Sequence, residues 1–114
     1  MGPELKVYAH VYPADHRLEN ALSKTLSCAI TDAISEDMPL LCRDGDMLRI
    51  SFEGRYFPEE EVIEALKAHL LPEAQGKVDV LDIAAWRMRR YFIKDGTISV
   101  REASLNNVLD YSGF

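Results

Sequence analysis

The chain has 114 residues, with 13 Lys and Arg against 19 Asp and Glu, a formal charge of −6. That is the length of one α+β domain spanning residues 1–114, and 47% hydrophobic residues bury enough apolar surface to offset the entropy of ordering the chain, which excludes general disorder. No apolar run approaches the ~18–20 residues of a membrane span, and an acidic total argues against nonspecific binding to nucleic acid, which rests on Lys and Arg meeting phosphates.

The first residues lack the basic and apolar segments of a secretory signal. Cys28 and Cys42 are too few for the disulfide framework of a small secreted domain. They read as buried free thiols in a reducing compartment, so a cytoplasmic location is expected; a single Cys28–Cys42 bridge is the alternative.

In chain order, Leu5, Val7, Ala9 and Val11 alternate with Lys6, Tyr8, His10 and Tyr12, the period of a half-buried strand. Pro13 ends it, and Asp15 stands where a helix N-cap belongs. From Leu18 to Ile34 apolar residues recur at three- and four-residue steps, predicting a long amphipathic helix over residues 15–36 that the Met38-Pro39 step breaks. Asp44-Gly45 between Leu40-Leu41-Cys42 and residues 47–52 predicts a hairpin with Leu48, Ile50 and Phe52 facing the core. Glu53-Gly54-Arg55 reads as the end of that second strand. Pro58 followed by Glu59, Glu60 and Glu61 predicts a helix start, because proline suits the first turn and carboxylates suit the positive end of the helix dipole. Pro72 stops that helix.

Residues 77–93 fit one extended strand with a bulge near Asp82, although a helix through Leu81, Ala84, Ala85 and Met88 also fits. Asp95-Gly96 predicts a second hairpin with Ile93 opposite Ile98, Tyr91 opposite Val100 and Arg89 opposite Glu102. Asn106-Asn107 reads as a turn. The order strand, helix, strand, strand, helix, strand, strand predicts a ferredoxin-like βαββαβ sandwich with an extra C-terminal strand forming a long hairpin; another antiparallel two-layer α+β fold is the alternative.

Motifs for chemistry are sparse. There is no Gly-x-Ser-x-Gly and no Gly-rich phosphate loop. His10, Asp15 and His16 match no metal-ligand spacing, so neither a metal nor a cofactor is expected. They define the alternative of a small-molecule-binding domain or enzyme. The local anomaly is Trp86-Arg87-Met88-Arg89-Arg90-Tyr91-Phe92, followed by Lys94 and Arg101. Residues 1–76 carry 7 basic and 14 acidic side chains, or −7, and residues 77–114 carry 6 and 5, or +1. Arginine beside aromatic residues is the composition of protein interfaces. The chain therefore reads as a small cytosolic binding or regulatory module rather than an enzyme. Trp86, Arg87, Arg89, Tyr91 and Arg101 are the partner-binding candidates, and a protein or a second copy of the chain, as in a homodimer, is the expected partner. Alternatively, the surface from Trp86 to Arg101 binds nucleic acid by stacking bases and holding phosphates. Alternatively again, its arginines pair with acidic groups of the same molecule or of a second copy.

Overall fold

A computed structural model describes residues 5–31 and 40–105. The elements are β1 (Leu5–Tyr12), α1 (His16–Leu26), β2 (Ile30–Thr31), β3 (Leu41–Asp44), β4 (Met47–Tyr56), α2 (Glu59–His69), β5 (Gln75–Asp82), β6 (Arg87–Lys94) and β7 (Thr97–Ser104). Every strand pairing is antiparallel. The sheet runs β2-β4-β1-β5-β6-β7, and β3 also pairs with β4. β3 occupies one end of the outer edge of β4, at Met47–Ile50, and β2 the other, at Gly54 and Tyr56.

The alternation of β1 places Val7 and Val11 beside Phe52 and Leu48 of β4, with Val80 of β5 on the other side of Val7. These side chains form one core with Leu18, Leu22 and Leu26 of α1 and Val62, Ile63 and Leu66 of α2. Both helices therefore cover the same face of the sheet, giving an α+β two-layer fold. No helix is long and apolar enough to cross a membrane among the described residues.

The sequence places both helix starts. The Asp15 carboxylate accepts the Leu18 N–H at 3.0 Å, which satisfies one of the orphan donors of the first turn. Pro58 precedes α2, whose first turn is Glu59, Glu60 and Glu61. The hairpins follow the turn chemistry: Gly45 has φ +63 between β3 and β4, while Asp95 and Gly96 at φ +50 and +74 join β6 to β7, as a type I′ turn requires. The β6–β7 register pairs Ile93 with Ile98, Tyr91 with Val100 and Arg89 with Glu102, as the pattern predicts.

Four expectations are corrected. α1 stops at Leu26 instead of continuing toward residue 36, and β2 begins four residues later. Thr25, Ser27 and Cys28 donate side-chain hydrogen bonds back to the carbonyls of Ala21, Lys24 and Thr25, the competition with regular helix that such residues bring. β4 passes through Glu53-Gly54-Arg55 to Tyr56, because Gly54 is flanked by Leu5 of β1 and Thr31 of β2. Residues 77–93 are neither one bulged strand nor a helix: the chain reverses at residues 83–86. Asp82 Oδ1 accepts the Ala85 N–H at 3.0 Å, the Ile83 carbonyl accepts the Trp86 N–H at 3.3 Å, and Trp86 adopts φ +55. Two strands, β6 and β7, therefore follow β5, where one extra strand was expected. Finally, Cys28 and Cys42 are free but exposed, not buried. Cys28 lies just past α1, and Cys42 lies on the outer strand β3, beside Arg49 and away from the helices. Residues 32–36 of the expected helix, the Met38-Pro39 break and the Asn106-Asn107 turn lie outside the described residues.

Candidate functional site

Strand alternation separates the predicted contact residues. Arg87, Arg89 and Tyr91 share the helix side of β6, in register with Val80 and Val78 of the core. Arg101 pairs with Arg90 on the opposite side, which is helix-free among the described residues. Trp86 ends the β5–β6 turn and is 51% exposed.

The arginines find carboxylates within the molecule. Arg87 Nε donates to Glu102 Oε1 at 2.6 Å across the β6–β7 pair. Arg89 binds both oxygens of Glu59 at 2.7 Å, and the Tyr91 hydroxyl donates to the same carboxylate. Arg90 forks onto Asp79 of β5 at 2.6 and 2.8 Å. The alternative in which these arginines pair within their own molecule therefore holds for Arg87, Arg89 and Arg90.

Glu59 sits in the first turn of α2 and ties that helix end to β6. Burial pushes its carboxyl upward, but the hydrogen bonds from Arg89 and Tyr91 outweigh this and hold it below its ordinary range. Burial and the adjacent carboxylate push the Tyr91 hydroxyl up to about 12, and the Glu59 hydrogen bond raises Arg89. A carboxylate fixed by a guanidinium fork and a phenol accepts no further proton at neutral pH. The cluster fastens helix to sheet and offers neither a general base nor a nucleophile.

His10, Asp15 and His16 do not converge. Asp15 is committed to its helix cap, and its charged neighbours are Arg17 and His69. His16 lies 3.6 Å from Glu19 with its side chain 88% exposed. No group of three His, Cys, Asp or Glu side chains suited to a metal exists among the described residues.

His10 belongs to a different constellation, one that its sequence position does not announce. It lies on the helix-free face between Arg49 of β4 and Lys77 of β5. Its ring stacks on Tyr12 with centroids 6.1 Å apart and planes at 14°. Tyr8, two residues earlier on the same face, is 42% exposed, and Tyr12 is 43% exposed. Together with Met47 and Ser51 these residues line an open depression. Burial first, and then the charges of Lys77 and Arg49, lower the His10 pKa against the pull of Asp79. Burial and the two cations thus disfavour the charged imidazole, which lies as a flat polar ring between Arg49 and Lys77.

Charge follows the same division. The registers place Lys6, Arg49, Lys77, Arg90, Lys94 and Arg101 on the helix-free face, against Asp44, Glu53 and Asp79. The chain as a whole is −6, so the described part of this face runs opposite to the total. Its β5–β6 portion is closed, with Met88 and Arg90 each 3% exposed; its β1 portion, with the two tyrosines, is open.

No protein-family model, curated protein or solved structure matches this chain.

Proposed function

We propose that this chain is a cytoplasmic protein-association module that pairs with a second copy of itself along β7. The observation that carries this reading is the position of β7. It is an eight-residue outer strand with a described partner, β6, on one side only. Val100, on its helix side, is 54% exposed. Such an edge presents a row of backbone N–H and C=O groups that natural proteins cover, charge or pair. A twofold pairing of two β7 strands satisfies that row and continues the sheet across both copies.

Residues facing each other in that pairing share a side of the sheet. With Val100 opposite its own copy, Ile98 meets Glu102 and Arg101 meets Ser99. Centring the pair on Arg101 instead sets two guanidinium groups against each other, which is unfavourable. The architecture that supports this role is a ferredoxin-like βαββαβ core. In it β2 and β3 share the place of the second strand, β1 lies between β4 and β5, and β6 and β7 extend the sheet. That superfold hosts many activities, so the role rests on the edge and not on the fold.

Sedimentation or light scattering over a dilution series tests the proposal. The wild-type chain is expected to pass from dimer to monomer on dilution. Val100→Lys is expected to stay monomeric with an unchanged circular dichroism spectrum, since it places two ammonium groups at the twofold axis. A wild-type monomer at every concentration, or a dimer unaffected by Val100→Lys, would overturn it.

A further inference from the structure

We infer that the open part of the helix-free face, over β1 and its neighbours β4 and β5, is a binding surface for single-stranded nucleic acid. It lies on the face of the sheet away from Val100, so it is independent of the association proposed for β7.

Three observations converge on it. The first is the row Arg49–His10–Lys77 across three adjacent strands. With strands about 4.8 Å apart, the two cations stand roughly 10 Å apart with a ring between them. The second is the pair of tyrosines on either side of His10 along β1. Each is more than two-fifths exposed although the face is a sheet interior, and one is already stacked on the imidazole. The third is charge: in a chain of net −6, the open part still keeps Lys6, Arg49 and Lys77 against Glu53 and Asp79, with Asp44 of β3 3.7 Å from Arg49.

Flat exposed rings beside well-spaced cations fit a chain that alternates bases with phosphates. Bases stack on aromatic faces without regard to sequence, and the cations hold the backbone. Duplex does not fit, because its bases are already stacked and a flat sheet enters neither groove. An acidic peptide would use the cations but leave the rings without a role. The sparing number of cations predicts weak binding with a modest salt dependence.

The experiment is fluorescence anisotropy of the full chain with a labelled oligo-uridine or oligo-thymidine strand, a duplex of the same length, and a labelled polyglutamate peptide. Binding is expected for the single strands at low salt. The slope of log affinity against log salt should be about −1.4, corresponding to about two phosphate contacts. Arg49→Gln combined with Lys77→Gln is expected to flatten that slope. Tyr8→Ala and Tyr12→Ala are each expected to weaken binding about tenfold. Arg87→Gln, on the other side of the sheet, should leave it unchanged, and thermal melts identify any variant that has lost its fold. No binding of the wild-type chain at low salt overturns the inference. So does equal binding of polyglutamate, or binding that survives loss of both cations and both tyrosines in folded variants.

Discussion

Replacing Glu59 by alanine removes the acceptor shared by Arg89 and Tyr91, and the consequences can be worked from the structure. The Glu59 side chain is 18% exposed and that of Arg89 is 27% exposed. Exposed ion pairs contribute about 0–1 kcal/mol, while breaking a fully buried pair costs about 3–5 kcal/mol because the surviving charge loses its partner. This pair lies between those limits, and the fork geometry places it above the exposed class. The Tyr91 hydroxyl, also left without its acceptor, adds a smaller cost. Glu59→Ala is thus expected to destabilise the fold by about 2 kcal/mol, lowering Tm by roughly 8 °C for a domain of this size. Urea unfolding followed by circular dichroism measures it, provided the slope m is unchanged. In a cycle with Arg89→Ala, the double variant should lose less than the two single losses combined, by about 1–2 kcal/mol. A shift below about 0.5 kcal/mol, which is within the range of an ordinary surface substitution, would refute the reasoning. Strict additivity in the cycle would refute it equally.

The same carboxylate sets a pH dependence. Its folded pKa lies below the ordinary value of 4.5, so its contribution is complete above pH 4.5 and is lost as pH falls through the lower folded value. Glu59→Gln should be less stable than wild type at pH 7 and show a smaller further loss on acidification through that window; parallel urea titrations of both proteins at pH 7 and below the window check this. At Gly76 a Cβ would lie 2.1 Å from the His10 carbonyl oxygen, at φ +153. Gly76→Ala is expected to disrupt the β1–β5 pairing and abolish cooperative unfolding. Gly45→Ala meets nothing within 4 Å and costs only about 1 kcal/mol for its positive φ, measured in the same unfolding assay.

Much of the fold was legible because its signals are local. The β6–β7 register follows from Asp95-Gly96 and a period of two, both contained in about a dozen consecutive residues. Asp15 and Pro58 marked their helix starts because capping acts within one turn. The end of α1 was hidden. The apolar spacing through Ala29 and Ile30 continues smoothly, and periodicity carries no information about where side chains begin to compete for backbone carbonyls. The turn at residues 83–86 was hidden for a related reason. It contains no glycine, and its left-handed residue is Trp86, a type that rarely adopts that conformation.

The candidate site divides in the same way. The sequence marked the run from Trp86 to Phe92 as unusual, and its arginines and aromatic residues do lie together on β6 or at its start. Composition carries no sign of partners. Glu59 is thirty residues from Arg89 in the chain, and at the sequence level its three-glutamate run was fully explained as a helix start. His10, Arg49 and Lys77 come from three strands and share no motif.

The amino-acid sequence by itself determined the α+β class, the helix starts, the two glycine hairpins and the apolar sides of β1 and β4. Each follows from the backbone preferences or periodicity of neighbouring residues. Only the tertiary structure decided which charges neutralise one another, which face keeps an excess of cations and which of the described strands lies outermost. Those depend on strand order and on contacts between residues far apart in the chain, and local pattern does not encode them.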